Sequence, residues 1–225
     1  MNPVRYRTEE EQLEAIKDWS FAIQYIYNPS EVLQLEAVKE NGLALDCIYN
    51  PSEAVQLAAV RNDGNAIRYI YNPSEAVQLA AVRNDGESIK YIHNPSKAVQ
   101  LAAVRDNGNA IQYIHNPSEK LQLVAVKEDG EPIQFIHNPS EAVQLEAVKN
   151  SKDAFYLIKY IKNPSEKVQL AAVENNKLAI KFINNPTKKV IRYIIENCND
   201  NEVIQCMRID FEKLPDDLKL RLEIM

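Results

Sequence analysis

Cysteine is scarce in this chain, and long apolar segments are missing. Its 225 residues include three cysteines, Cys47, Cys198 and Cys206, which are too few and too scattered for a disulfide framework. No stretch approaches the roughly 18 apolar residues of a membrane span, and no apolar signal core follows the start. We therefore expect no membrane insertion and a reducing, cytoplasmic setting, either in the source cell or, for a viral protein, in its host.

Positive charge and catalytic motifs are also in short supply. Lys and Arg total 26 against 32 Asp and Glu, giving a net charge of -6, the reverse of the charge that nucleic-acid binders usually carry. The sequence has no P-loop, Gly-rich dinucleotide turn, serine nucleophile elbow or Cys-Xaa-Xaa-Cys pair. No Cys and His cluster has zinc-ligand spacing. We predict a protein that is not an enzyme, with no catalytic residues, metal or cofactor.

A tandem repeat of 22 residues dominates what is present. Asn-Pro pairs recur with one step of 25 residues and otherwise steps of 22, placing prolines at Pro29, Pro51, Pro73, Pro95, Pro117, Pro139, Pro164 and Pro186. All five glycines share one phase of the repeat. The pattern predicts a single domain over residues 1–225, with eight repeats over about 6–184 and a degenerate repeat and cap over 185–225.

The repeat over residues 50–71 predicts two short helices. Asn50 is expected to cap the first helix, with Pro51 in its first turn and Glu53 completing a capping box. Gly64 is expected to end that helix with a positive φ, and a second helix of about two turns follows. Helices this short are stable only when packed on neighbours. We therefore predict an all-α, right-handed α-solenoid of two-helix repeats with a C-terminal helical cap.

Positions that vary little between repeats predict the buried faces. On the first helix they are Val55, Gln56, Leu57, Ala59 and Val60. On the second helix the matching apolar positions are Ala66, Ile67, Tyr69 and Ile70.

One glutamine recurs in every full repeat, at Gln12, Gln34, Gln56, Gln78, Gln100, Gln122, Gln144 and Gln169. Because a buried amide must be hydrogen-bonded, we predict a structural ladder in which each side chain ties a neighbouring helix or turn backbone and fixes the repeat register. The alternative is an exposed row of amides that reads an extended ligand. The sameness of the row argues against that alternative.

A second row precedes the Asn-Pro pairs and forms a candidate binding stripe, consisting of Tyr27, Tyr49, Tyr71, His93, His115, His137 and Lys162. In one interpretation each side chain covers the first turn of the following helix as a staple. In the other, the aromatic and histidine side chains bind a partner. The histidines do not predict a shared metal site, because neighbouring helices lie roughly 8–10 Å apart.

A basic row consists of Lys39, Arg61, Arg83, Arg105, Lys127 and Lys149. Carboxylates flank it and would repel phosphates, so nucleic-acid binding is disfavoured and kept as an alternative. The repeat pattern breaks at a three-residue insertion that adds Phe155 and Tyr156, a candidate local contact point. The termini, which include Leu218, diverge from the repeat, and we expect any self-association of the protein to use them.

The segments LQLEAVKENGLALDCI and AVQLAAVRNDGNAIRYI resemble the short tandem helical repeats of unknown function in bacterial, phage and large-virus proteins. They are similar, more loosely, to the leucine-rich repeat variant and other HEAT-like α-solenoids. The resemblance covers about residues 6–196 and implies an α-solenoid used for binding, with no catalytic residues. We therefore predict a protein-binding scaffold or an inhibitor of a partner protein. The alternative is a binder of nucleic acid or a nucleotide ligand that uses the basic row and the stripe.

Overall fold

The computed structural model describes residues 8–151, 154–198 and 216–219. In these residues every repeat consists of helices joined by turns, which confirms the predicted all-α solenoid class. The α-helices of the repeats are α1 (Glu9–Asp18), α2 (Glu31–Glu40), α3 (Glu53–Asn62), α4 (Glu75–Asn84), α5 (Lys97–Asp106), α6 (Glu119–Glu128), α7 (Glu141–Asn150), α8 (Ala154–Leu157), α9 (Glu166–Asn175) and α10 (Lys188–Asn197).

The second helix of the repeats is a 3₁₀ helix rather than the expected two turns of α-helix, except that in the repeat with the insertion the α-helical turn α8 precedes a short 3₁₀ segment. These segments are Ser20–Tyr25, Gly42–Cys47, Gly64–Tyr69, Gly86–Tyr91, Gly108–Tyr113, Glu131–Phe135, Ile158–Tyr160 and Lys177–Phe182. Six residues are enough for two 3₁₀ turns. The tighter winding lets each segment end before the extended residue that leads into the next Asn-Pro turn.

The chain divides into two compact units, Met1–Ile114 and His115–Met225. In the first unit, consecutive α-helices from α1 to α5 pack side by side. Each 3₁₀ helix of this unit packs on its own α-helix, and the first four also pack on the next α-helix. In the second unit, α6 packs on α7, α7 on α9 and α9 on α10. The predicted single domain over residues 1–225 stays a prediction.

The buried faces agree with the sequence pattern in most positions. Val55, Ala59 and Val60 on α3, with Ala66 and Ile67 on the following 3₁₀ helix, are at most 1% exposed. The prediction is wrong for Tyr69, which is 38% exposed. An apolar pattern does not distinguish a ring inside the core from one that covers its rim.

The α-helices begin two residues later than the Asn-Pro pattern predicts. The N-cap of α3 is Ser52, whose side chain accepts a hydrogen bond from the Val55 amide at 3.4 Å, and Glu53 is the first helical residue. The expected capping role of Asn50 is wrong, because an N-cap normally has extended backbone angles. Asn50 instead has φ of 49°, in the left-handed region.

Left-handed asparagine is the turn residue of this repeat. Seven of the eight asparagines that precede a repeat proline have φ between 49° and 52°: Asn28, Asn50, Asn72, Asn94, Asn116, Asn138 and Asn163. Asn adopts this conformation more readily than other residues with a Cβ. The turn therefore explains why Asn stands before the proline.

Replacing Asn72 tests this assignment. Asn72→Ala should lower the free energy of unfolding by about 1 kcal/mol, because alanine pays a steric cost in the left-handed region. Asn72→Gly should stay close to the wild type, since glycine adopts this conformation freely. Urea denaturation followed by circular dichroism measures both changes. Equal losses in the two variants would contradict a role for the backbone conformation.

The glycines act by allowing close approach, and the predicted positive φ at Gly64 is wrong. No described glycine has a positive φ. A Cβ on Gly64 would instead lie 2.6 Å from the carbonyl oxygen of Ala81 in the next repeat. The absent side chain lets the start of the 3₁₀ helix lie against the backbone of the following α-helix.

Two sets of polar bonds join adjacent repeats. In the first, the serine N-cap of one repeat donates its hydroxyl to the first glutamate of the preceding repeat, as from Ser30 to Glu9 at 2.7 Å and from Ser52 to Glu31. In the second, which we term the backbone clamp, the last residue of an α-helix bonds the main chain of the preceding repeat. The clamp residues are Asn62, Asn84, Asp106 and Asn175.

The C-terminal part of the second unit differs from the repeats. Residues 216–219 are helical, Leu218 is buried, and Asp217 forms an ion pair with Arg192 of α10 at 2.9 Å. The rest of the predicted cap, with Cys206, lies outside the described residues. No helix in the described ranges is long and apolar enough to cross a membrane.

Candidate functional site

The stripe is almost entirely in solvent. Tyr27, Tyr49 and Tyr71 are 99%, 97% and 92% exposed, and the stripe histidines and Lys162 are exposed as well. The staple interpretation is therefore wrong for these tyrosines, because a side chain that covers the next helix would lose much of its exposure. The left-handed asparagine that follows each of them turns the chain, so the preceding side chain projects away from the next helix.

A second row of aromatic side chains lies beside the stripe. We term it the aromatic row, and its members are 36–55% exposed: Tyr25, Tyr69, Tyr91, Tyr113, Phe135, Tyr160 and Phe182. All but Phe182 stand two residues before a stripe position, separated from it by an extended isoleucine such as Ile70, with φ of -103° and ψ of 117°. In extended backbone, residues two apart project to the same side. Tyr69 and Tyr71 therefore face solvent together while Ile70 turns inward.

Sequence reasoning missed the aromatic row by placing it in the core. The available signal was the alternation at the end of each repeat, where an isoleucine is flanked on both sides by aromatic or polar residues, as in Tyr-Ile-Tyr and Tyr-Ile-His. Such alternation indicates one buried and two exposed positions in an extended segment.

Cations lie between the rings of the aromatic row in the first unit. The Arg68 guanidinium carbon is 5.2 Å from the Tyr69 ring centroid and 5.5 Å from that of Tyr91 in the next repeat. Lys90 is placed similarly, 5.2 Å from the Tyr91 centroid and 6.0 Å from that of Tyr113. These distances are within the range of cation–π attraction. The surface therefore alternates aromatic and basic groups across three repeats.

The insertion builds an aromatic cluster in the second unit. The Phe155 ring centroid lies 6.2 Å from that of Phe182, and the Tyr156 centroid lies 6.1 Å from that of Tyr160. Lys159 places its amino group 4.5 Å from the Tyr156 centroid and 4.8 Å from that of Tyr160. Both residues of the predicted contact point are thus half-buried against their own chain, and Tyr156 also donates its hydroxyl to Glu131 at 3.2 Å.

The ladder glutamines form most of their hydrogen bonds within their own repeat. From Gln34 to Gln169, the side-chain amide donates to the carbonyl oxygen of the repeat's own proline at 2.8–3.0 Å. Gln169 is also bonded to the next repeat, because it accepts from the Thr187 amide at 3.1 Å. The bond to proline fixes the Asn-Pro turn. Most of these glutamines are half-buried.

The basic row and the stripe lie at opposite ends of the α-helices. Arg61 and Arg83 are in the last turns of α3 and α4, whereas Tyr49 and Tyr71 precede the first turns of these helices. A ten-residue α-helix is about 15 Å long. The structure therefore does not bring the basic row and the stripe into one site.

Cys47 replaces the aromatic residue of the second repeat. Burial, and then the neighbouring Asp46 carboxylate, raise the pKa of its thiol. The thiol is thus protonated at neutral pH, which disfavours nucleophilic chemistry at this position. Among the described residues, no three His, Cys, Asp or Glu side chains are grouped as metal ligands would be.

No protein-family model, curated protein or solved structure matches this chain.

Proposed function

We propose that the protein is a non-catalytic binding module, a scaffold or an inhibitor, that holds a partner protein through the stripe and the adjacent aromatic row. The observation that carries the proposal is the 92–99% exposure of Tyr27, Tyr49 and Tyr71. Apolar side chains grouped on a surface indicate an interaction site, and tyrosine is enriched among the residues that dominate protein–protein binding.

The proposal extends to the family and the setting of the chain. The repeat over about residues 6–196 supports membership of the short tandem helical repeat family that it resembles. The low cysteine content of the sequence, three residues at scattered positions, supports a reducing, cytoplasmic compartment. The repetition of nearly identical residues from repeat to repeat favours binding over catalysis, because a catalytic site needs different groups brought together at one place.

The alternative partner is nucleic acid. It is less well supported, because the basic row lies about one helix length, roughly 15 Å, from the aromatic side chains that would stack on bases. The net charge of -6 would also oppose a polyanion.

Paired substitutions separate these possibilities. The variant Tyr71→Ala with His93→Ala should leave the free energy of unfolding within about 0.5 kcal/mol of the wild type, because both side chains are exposed. It should lose about tenfold or more in affinity for the partner protein. Affinity capture from lysate, followed by titration of the captured protein, measures the effect.

The matched control is Arg61→Ala with Arg83→Ala, which changes the same number of exposed residues at the other end of the helices. This control should retain the partner, and nuclease treatment should not release it. Full capture by the stripe variant would contradict the proposal. Loss of capture in the arginine variant, or after nuclease treatment, would favour nucleic acid.

A further inference from the structure

Two clefts open at successive repeat junctions in the second unit. The first has a volume of about 380 Å³ and lies between Phe135 and His137 of one repeat and Tyr160 and Lys162 of the next. The second, of about 440 Å³, has Lys159 and Lys162 on one side and Phe182 on the other. Lys162 lines both clefts, so they are adjacent sites on one surface.

The charge of these clefts is opposite to that of the chain. Among the residues that the structure describes, no carboxylate lines either cleft, whereas the whole sequence has 32 acidic and 26 basic residues. In the described part of the chain, neither Lys159 nor Lys162 forms an ion pair. Lys159 is instead held over the rings of Tyr156 and Tyr160. Two lysines are therefore available to bind negative groups.

The clefts also repeat an apolar and a polar feature. Phe135, Tyr160 and Phe182 are 36–40% exposed and occupy the same position in three consecutive repeats. Gln144 lines the first cleft and is oriented by its bond to Pro139 at 2.8 Å. Its amide oxygen has no protein partner among the described residues. This oxygen is available to accept a hydrogen bond from a ligand N–H group.

We propose that these two clefts bind an acidic, extended segment of a partner protein that carries carboxylates three residues apart. The inference deepens the proposed function and rests on it. A polyproline II segment has three residues per turn and rises about 3.1 Å per residue, so every third side chain lies on one face about 9 Å apart. That interval matches the roughly 8–10 Å between packed helices. The backbone N–H groups of a polyproline II segment also make no hydrogen bonds within the segment, so they can donate to the Gln144 oxygen.

A peptide fits this surface better than a nucleic acid does. Glu141 and Glu166 each stand two residues after a proline that lines a cleft, and both are exposed. The evenly spaced charges of a phosphate backbone would be repelled by these carboxylates. A peptide, in contrast, can carry its carboxylates only at the positions that face Lys159 and Lys162.

Fluorescence anisotropy with the full chain tests the proposal. The probe is a fluorescein-labelled peptide of four Glu-Pro-Pro triplets, which adopts polyproline II. A control peptide of the same composition has its four glutamates consecutive, and another has lysine in place of glutamate. We expect the triplet peptide to bind at least about tenfold more tightly than either control, since only it matches both charge and spacing.

Charge reversal then locates the site. Lys159→Glu with Lys162→Glu should weaken binding of the triplet peptide by about tenfold or more. Lys127→Glu with Lys149→Glu makes the same change in net charge in the basic row of the second unit, and should change the Kd by less than about twofold. Circular dichroism melts establish that both variants are folded. If the first does not fold, Lys159→Gln with Lys162→Gln takes its place.

Equal weakening by the two pairs, or equal binding of the triplet and consecutive-glutamate peptides, would overturn the proposal. Tighter binding of a labelled oligothymidylate than of the triplet peptide would do so as well. If the triplet peptide does not bind while partner capture still requires Tyr71 and His93, the acidic-segment proposal fails and the proposed function stands. If the triplet peptide does not bind and partner capture does not require Tyr71 and His93, both the acidic-segment proposal and the proposed function fail.

Discussion

Gly86→Ala is expected to lower the free energy of unfolding by about 3 kcal/mol. The added Cβ would lie 2.5 Å from the carbonyl oxygen of Ala103, in the last turn of α5, and 3.1 Å from the amide nitrogen of Asn107. Both are main-chain atoms at the end of α5, which packs against α4 and against the 3₁₀ helices Gly86–Tyr91 and Gly108–Tyr113, so neither can move without shifting its repeat. Urea denaturation monitored by circular dichroism provides the measurement.

Ser88→Ala is the matched control in the same 3₁₀ helix. The Ser88 hydroxyl is buried without a hydrogen-bond partner among the described residues, and the equivalent position is alanine in other repeats, such as Ala66 and Ala110. Removing the hydroxyl should therefore maintain stability or increase it by about 1 kcal/mol. If Gly86→Ala were as stable as Ser88→Ala, close backbone approach would not be the reason for the glycine.

The second large effect is expected for the backbone clamp. Asn84 accepts a hydrogen bond from the Gly64 amide at 2.7 Å and donates one to the Arg61 carbonyl at 2.9 Å. Asn84→Ala removes both, and the Gly64 amide is buried. An unsatisfied buried donor costs about 1–3 kcal/mol, so we expect a loss of about 2 kcal/mol.

Asn84→Asp separates the two bonds of the clamp. Aspartate can still accept from the Gly64 amide, as Asp106 accepts from Gly86 at 2.7 Å, but it cannot donate to Arg61. Its stability should lie between those of the wild type and Asn84→Ala. Hydrogen exchange at the Gly64 amide, measured by NMR, should accelerate strongly only in the alanine variant. A loss in Asn84→Asp equal to that in Asn84→Ala would contradict the assignment.

Periodicity predicts the class of this fold but not its turns. The 22-residue period and the apolar faces identify the repeats and their core, because burial acts at every equivalent position in the same way. The start of each α-helix was wrong by two residues because Asn50 and Ser52 are both good capping residues. Only the left-handed backbone of Asn50, which the path of the chain imposes, decides between them.

Periodicity also predicts only part of the candidate site. The stripe could be identified because its residues recur at one phase, but whether Tyr71 covers a helix or projects into solvent depends on the turn that follows it. The pattern of Ala66 and Ile67 predicts a core position for Tyr69 as well, because its ring is largely apolar. The clefts could not be predicted, since each is formed by residues of two repeats that meet only after packing.

The backbone clamp has a consequence for how the chain is made. The clamp residue Asn62 acts on Gly42, Asn84 acts on Gly64, and Asp106 acts on Gly86, each from the following repeat. During synthesis from the N-terminus, a repeat therefore emerges from the ribosome before the residue that completes its hydrogen bonds. At each stage of synthesis the newest repeat lacks its clamp hydrogen bond, while the repeats before it have theirs. Translation thus sets the order in which the repeats of the first unit become complete.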